Sequence, residues 1–119
     1  TIECAYKLDS RLAACIADFL RGKSVTELGA GVGRYKRFVE GTGLAGTYTA
    51  YDGLADVATL TNGRVHPLDL TVDSQAIVRS DWALSLEVAE HIPARFEQTL
   101  LRNWERANTC GIILSWSGP

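Results

Sequence analysis

Residues 24–33 read SVTELGAGVG, a short β-branched run that passes directly into a glycine-rich turn. After the glycines, Tyr35, Phe38 and Val39 recur at helical spacing. A strand that turns abruptly into a helix over glycines brings bare backbone close to a ligand, because no side chain fills that space. The stretch therefore predicts a strand at 24–28, a ligand-facing turn, and a short helix that Gly41 closes.

The remainder of the chain repeats this alternation. Further strands are predicted at 47–51, 64–70, 81–86 and 110–116. Pro67 suits a sheet edge, because proline cannot donate to a neighbouring strand. Periodic apolar residues and breakers predict helices at 8–20, 54–61, 71–79 and 92–107, the last with Pro93 in its first turn. This order predicts an α/β fold with a doubly wound parallel sheet and helices on both faces.

The last predicted strand and the overall composition restrict the burial of the sheet and the classes of protein that the chain can belong to. Strand 110–116 shows no polar alternation, so both of its faces are expected to be covered. The chain has 119 residues, 46% hydrophobic and 22% charged, which fits one globular domain over 1–119. Its net charge of −2 disfavours general nucleic-acid binding. No apolar run approaches the roughly 18 to 20 residues that cross a bilayer, and residues 1–9 lack a secretory signal pattern.

The three cysteines, Cys4, Cys15 and Cys110, show neither an even count nor metal-ligand spacing, so no metal site is expected. Cys15 and Cys110 fall on predicted apolar faces. We interpret them as small buried residues with free thiols, which is typical of a reducing compartment such as the cytoplasm.

Three acids stand at or near the ends of successive predicted strands: Glu27, Asp52 and Asp69. The carboxyl ends of parallel strands border the crevice where open α/β sheets bind ligands. Asp52 is placed to accept hydrogen bonds from ribose hydroxyls, or alternatively to cap a helix ahead of Leu54. Asp69 is placed to accept from an exocyclic amino group, with Leu70 beside the ring, or alternatively to serve a turn.

The glycine spacing does not fit a nicotinamide site. That fingerprint, G-x-G-x-x-G, needs a glycine where Arg34 stands. Glu27, two residues before the first glycine, would repel a pyrophosphate and favour a ligand with a positive charge. The alternative is tight packing at an ordinary strand–helix turn.

Taken together, these motifs resemble those of class I S-adenosylmethionine-dependent methyltransferases. Residues 27–33 are similar to the first motif of that family, Asp52 to its ribose-binding acid, and Asp69 with Leu70 to its adenine-contacting pair. Residues 85–93, SLEVAEHIP, resemble the motif after the fourth strand, and also a methyltransferase-like group with an L-E-V-x-E-H-I-P string. The resemblance covers residues 24–115.

The resemblance implies a Rossmann-like sheet with strand order 3-2-1-4-5 and S-adenosylmethionine as methyl donor. It implies methyl transfer to an oxygen, nitrogen or carbon atom of an unidentified small-molecule or protein acceptor. The residues it assigns to the donor site are Glu27, Gly29, Ala30, Gly31, Gly33, Asp52, Gly53, Asp69, Leu70, Ser85, Leu86 and Glu87. In the family, backbone near Ser85 and Leu86 accepts from the amino group of the donor.

His91 is the candidate general base, needed only when the nucleophile must lose a proton. It lies four residues after Glu87, one turn along a helical stretch. The alternative is that His91 caps or packs the start of the helix at Pro93. The chain lacks the Asn/Asp-Pro-Pro-aromatic string of the amine-modifying branch, so methylation of adenine or glutamine nitrogens by that route is not expected.

The family sheet normally continues into sixth and seventh strands, whereas this chain stops just after the fifth. We therefore expect a C-terminally truncated domain, with the edge of strand 110–116 covered by a second copy or by further residues. Two alternative functions stay open: a scaffold module that binds the nucleoside without turnover, and a nicotinamide-dependent oxidoreductase.

Overall fold

Five parallel strands form one sheet in the predicted order. The computed structural model describes residues 8–115. The strands are β1 (Val25–Leu28), β2 (Tyr48–Asp52), β3 (His66–Pro67), β4 (Ser80–Leu86) and β5 (Asn108–Ser115). Their order is β3-β2-β1-β4-β5 and every neighbouring pair is parallel, which confirms the predicted order 3-2-1-4-5. Pro67 lies in the edge strand β3, as predicted, although β3 has only two residues.

Helices connect the strands. They are α1 (Ser10–Phe19), α2 (Arg34–Thr42), α3 (Val57–Leu60) and α4 (Glu97–Arg106), with 3-10 turns at Ala89–His91 and Ala94–Phe96. The side chain of Asp9 caps α1 by accepting from the amides of Arg11 and Leu12. Helix α2 runs through Gly41, its predicted end, and stops where Gly43 adopts a left-handed φ of 69°.

The sheet is covered on both faces, as predicted. On one face, α1, α2 and α3 pack on the three central strands; the buried cluster between helices and strands includes Ile16, Ala17, Leu20, Val25, Val39, Tyr48, Ala50, Val57 and Leu84. On the other face, α4 packs over a second cluster, which comprises Leu28, Tyr51, Leu70, Ile77, Ala83, Leu100 and Trp104. The central strands are therefore closed off from solvent, and the site is confined to their carboxyl ends.

Two predicted helices differ from the structure. Residues 71–79 form neither helix nor strand. Pro93 precedes the 3-10 turn Ala94–Phe96 and is not in the first turn of α4. Helix α1 also buries the small residues Ala13 and Ala17, whereas Leu12 and Phe19, two larger apolar residues of the predicted helix, are 38% and 46% exposed.

The prediction that both faces of the last strand are covered is wrong for β5. Ile112 and Leu114 are exposed on one face, whereas Ile113 packs against the core on the other. Cys15 and Cys110 are free thiols, but both are exposed, so their interpretation as buried residues is also wrong. Cys4 lies outside the described residues.

Within residues 8–115, no helix combines the length and the apolar character that crossing a bilayer requires.

Candidate functional site

A cavity of about 560 Å³ opens at the carboxyl ends of the strands, where the sequence predicts the site. This volume is in the range of pockets that hold a drug-sized ligand. The structure brings most of the predicted residues to its lining; they are Glu27, Gly29, Ala30, Gly31, Asp52, Gly53, Asp69, Leu70, Leu86, Glu87 and His91. Two predicted residues, Gly33 and Ser85, are not part of the lining.

The turn after β1 is tied to β2 through its backbone. The amides of Gly29 and Ala30 both donate to the carbonyl of Tyr51, at 2.9 and 2.8 Å. Gly29 has a φ of 83°, and a Cβ atom there would lie 2.3 Å from Cγ2 of Val88. The absence of a side chain at Gly29 therefore makes room for Val88, not for a ligand as the sequence suggested.

Asp52 links the two turns at the ends of β1 and β2. Its Oδ1 accepts from the amide of Gly31 at 2.9 Å, and its Oδ2 accepts from the amide of Leu54 at 3.1 Å. Each carboxylate oxygen has a further lone pair. Asp52 does not cap a helix, because α3 begins only at Val57. Its carboxylate is thus oriented by the backbone while facing the cavity.

Glu27 places a buried carboxyl group in the cavity lining. Its side chain is 2% exposed, and the hydroxyl of Tyr48 donates to its Oε1 at 2.6 Å. Burial raises the pKa of Glu27 from its ordinary value of 4.5 to about 7, with the Tyr48 hydrogen bond opposing this and the negative charge of Asp52 adding to it. Burial and then the charge of Glu27 raise the pKa of Tyr48 well above its ordinary value, so its hydroxyl remains a donor.

Asp69 follows β3 on an irregular segment. Its Oδ1 accepts from the amide and the hydroxyl of Thr71, at 2.9 and 2.6 Å, which lowers the pKa of Asp69. The predicted alternative of a turn role is thus present, through one oxygen. Oδ2 accepts no hydrogen bond from the described residues, so it is available to a ligand.

The segment after β4 supplies the opposite side of the cavity. Glu87 adopts a φ of 55°, which is uncommon for a residue with a side chain, and its amide donates to the carbonyl and hydroxyl oxygens of Ser115. His91 is exposed in the 3-10 turn Ala89–His91. Glu87 and His91 are therefore not one turn apart on a helix, although both line the cavity.

Of the two predicted residues outside the lining, Gly33 lies at a close packing contact and Ser85 is buried in a strand. Gly33 caps α2 with a φ of 84°, and a Cβ there would lie 2.9 Å from Cγ2 of Val65. Ser85 is fully buried in β4, and its hydroxyl has no hydrogen-bond partner among the described residues.

Sequence reasoning missed six lining residues: Val32, Arg34, Tyr35, Thr71, Val88 and Ile92. All of them except Tyr35 are adjacent in the chain to a predicted site residue, and that proximity is the signal that would have found them. The hydroxyl of Tyr35 also accepts from the amide of Asp9 at 3.2 Å, so the start of α1 is fixed beside the cavity.

The lining fits a ligand that donates hydrogen bonds or carries positive charge. Four carboxyl groups line the cavity, from Glu27, Asp52, Asp69 and Glu87. Carboxylates accept from hydroxyl and amino groups but repel a pyrophosphate. Within residues 8–115, no group of three or more His, Cys, Asp or Glu side chains is arranged to hold a metal ion.

Comparisons with known proteins bear on the fold. No protein-family model matches the chain, and a search of curated proteins finds no match. Among solved structures, the chain is similar to the methyltransferase domain of a bacterial Hen1, with a TM-score of 0.70 and 17% identity over 88% of this chain and 62% of that one. It is also similar to a putative methyltransferase from an antibiotic biosynthesis pathway of Anabaena variabilis, with a TM-score of 0.68 and 19% identity over 90% of this chain and 45% of that one.

A third similar structure is a complex of DhpI with SAM and HEP, with a TM-score of 0.62 and 24% identity over 92% of this chain and 56% of that one. These neighbours are class I methyltransferases, so the chain has the Rossmann-like fold of that superfamily. The chain spans between about four-tenths and six-tenths of the length of these three proteins.

Proposed function

We propose that this chain binds S-adenosylmethionine in the cavity and takes part in methyl transfer to a small-molecule or protein acceptor. One observation carries the proposal: carboxyl groups from the ends of three successive strands line one cavity beside the glycine-rich turn. The donor has hydroxyl, amino and cationic groups that such carboxyl groups recognise. The fold of the structural neighbours supports the same assignment.

Each part of the donor has a counterpart in the lining. Asp52 would accept from the ribose hydroxyls, since backbone amides already orient its two oxygens. Oδ2 of Asp69 would accept from the amino group of the base, with Leu70 against the ring. Glu27 would face the ammonium group of the amino acid, and its ionisation would be favoured by that positive charge.

When bound, S-adenosylmethionine supplies an activated methyl group. The residues of the chain then need to hold the acceptor atom in line with that group and to exclude competing water. Residues 88–92 would form the acceptor side, next to the donor contacts of Leu86 and Glu87. For a hydroxyl or ammonium acceptor, an imidazole nitrogen of His91 would take the proton that the acceptor loses.

Isothermal titration calorimetry with S-adenosylhomocysteine and with NAD tests the proposal. We expect binding of S-adenosylhomocysteine and none of NAD, because the acids that accept from the nucleoside repel the pyrophosphate. Binding of NAD without binding of S-adenosylhomocysteine would overturn the proposal in favour of the oxidoreductase alternative.

A scaffold that binds the donor without turnover is the second candidate, because a donor site by itself does not require an acceptor reaction. The two functions separate in an assay with methyl-labelled donor and the small-molecule and protein fractions of a cell extract. Label incorporated into either fraction supports a methyltransferase. Donor binding with no incorporation supports the scaffold.

We also propose that a second copy of the chain covers the outer edge of β5. This strand has eight residues, pairs with β4 alone among the described strands, and exposes Ile112 and Leu114. Unpaired strand edges with apolar side chains favour association. Light scattering should therefore detect a dimer that Leu114→Lys dissociates, whereas a monomer at high concentration would contradict the proposal.

A further inference from the structure

The segment between β3 and β4 forms one wall of the cavity without any helix or strand of its own. Residues 68–79 are irregular throughout, yet Asp69, Leu70 and Thr71 line the cavity. Backbone groups in such a segment need hydrogen-bond partners from elsewhere in the molecule if they are to be held in one conformation. Residues of other elements must therefore supply these partners.

Asn103 of α4 supplies three such bonds. Its side chain is fully buried, and its Nδ2 donates to the carbonyls of Val72 and Leu70, at 2.9 and 3.4 Å. Its Oδ1 accepts from the amide of Ser74 at 3.1 Å. The orientation of the amide is fixed by these partners, because two carbonyls require the NH₂ group and the Ser74 amide requires the oxygen.

An outer set of contacts holds the same segment to α4. Asp73 forms ion pairs with Arg102, at 3.1 Å, and with Arg106. Arg106 also donates to the carbonyl of Ser74 at 3.2 Å. Exposed ion pairs contribute little individually, so the buried amide of Asn103 is the main attachment and the arginines reinforce it.

The attachment acts directly on the cavity wall. Leu70, whose carbonyl Asn103 binds, is buried beside α4 and lies next to Asp69 in the chain. The Oδ1 atom of Asp69 is engaged by Thr71, so the direction of its Oδ2 follows from the conformation of this turn. We infer that Asn103 is a positioning residue that holds the 70–74 segment in the form that presents Asp69 and Leu70 to a nucleoside base. The inference rests on the proposed function.

The test compares two ligands that differ only at the base: S-adenosylhomocysteine, which has a 6-amino donor, and S-inosylhomocysteine, which has a 6-oxo acceptor. Wild type should prefer the adenine ligand by roughly tenfold or more, since a carboxylate accepts from the amino group and repels the oxo group. Asn103→Leu keeps the branching and the number of side-chain heavy atoms but removes the hydrogen bonds, and it should reduce the preference to about twofold or less. Loss of stability alone would not change this ratio among folded molecules.

A surface variant of α4 is the control, and hydrogen exchange is the second measurement. Gln98→Ala, at an exposed position of α4, should leave the ratio unchanged. Hydrogen exchange measured by mass spectrometry should be faster over residues 70–74 in Asn103→Leu than in wild type. If Asn103→Leu does not fold, Asp73→Ala on the surface should lower the preference by roughly twofold.

Each contrary result has a definite meaning. A folded Asn103→Leu protein with the wild-type preference overturns the positioning role, and so does unchanged exchange over residues 70–74. Wild type that binds neither ligand overturns the proposed function, and the inference with it. Wild type that binds both ligands equally overturns the inference alone, because Asp69 then does not read the base.

Discussion

The cavity wall formed by residues 27–31 and 52–53 is held by hydrogen bonds between β1 and β2, whereas the wall formed by residues 86–92 exposes Glu87 and His91 and carries backbone strain at Glu87. In the first wall, Asp52 joins the two turns and Glu27 is buried against Tyr48. In the second wall, Glu87 has a left-handed φ and the following residues form only a 3-10 turn.

This difference matches what the two walls are proposed to do. The donor is the same in every turnover. Groups whose positions are fixed before it binds favour its binding, because they need no reorganisation. An acceptor that differs from one methyltransferase to another is best matched by exposed side chains such as those of Glu87 and His91, even though Val88 and Ala89 between them pack in the core. The β1–β2 wall is thus preorganised for one ligand, whereas the wall after β4 presents exposed side chains that can differ with the acceptor.

The largest effect is expected where the two walls touch. Gly29→Ala should lower the free energy of unfolding by about 4 kcal/mol, because the new methyl group meets Val88 and the left-handed φ is unfavourable for alanine. Urea unfolding measures this loss. Gly43→Ala is the matched control, with a φ of 69° and open space around it, and should lose only about 1 kcal/mol. Equal losses would mean that the contact with Val88 is unimportant.

The buried carboxyl group of the β1–β2 wall should make stability depend on pH. The pKa of Glu27 is about 7 in the folded chain and near its ordinary value of 4.5 in the unfolded chain, so the folded chain keeps the proton to higher pH. Stability is therefore lost as pH rises from about 4.5 to 7, and Glu27→Gln, which has no such proton, should be more stable than wild type by about 3 kcal/mol at pH 8.

Thermal unfolding at pH 4 and pH 8 measures this difference. At pH 4 the two proteins should have nearly equal stability, since the carboxyl group of wild type is then protonated in both states. An advantage of Glu27→Gln that is the same at both pH values would show that Glu27 does not titrate in this range.

The exposed side chain of His91 should affect turnover but not donor binding. His91→Asn should lower the rate of label transfer roughly a hundredfold, the effect typical of a lost general base, with little change in affinity for S-adenosylhomocysteine. His66→Asn, at an exposed position of β3 outside the cavity, is the control. Full activity of His91→Asn would mean that the acceptor loses its proton without this side chain.

The smallest effect concerns one hydrogen-bond partner of the donor. Asp52→Ala should weaken binding of S-adenosylhomocysteine by about 1 to 3 kcal/mol, as expected when a charged acceptor is lost. Calorimetry measures the change, with Asp56→Ala as control because the Asp56 side chain caps no helix. Unchanged affinity would show that Asp52 serves only to link the two turns.

The strand order and the gathering of the acids were predictable because they follow from short-range patterns. Each of β1 and β2 ends in or near an acid, and parallel strands bring such ends together whatever the connecting segments do. Glu27, Asp52 and Asp69 therefore appear in one cavity even though the predicted bounds of the third strand were too long.

The errors concern features that distant residues decide. The segment 71–79 does not become helical, because Asn103, about 30 positions further along, binds its backbone groups instead. Apolar composition over 110–116 could not reveal that one face of β5 is exposed. Likewise, Cys15 lies beside a buried stripe of α1 that the small residues Ala13 and Ala17 occupy. Periodicity identifies an apolar face but not what covers it.

The contact between Val88 and Gly29 restricts which acceptor loops can be exchanged between proteins of this fold. A transplanted segment 86–92 must bring a side chain at position 88 that seats over the α-carbon of position 29, or it will distort the turn that follows β1. Chimeras that import a larger residue at 88 should lose donor affinity even though none of the donor-facing acids has changed. The two positions need to be transplanted as a pair.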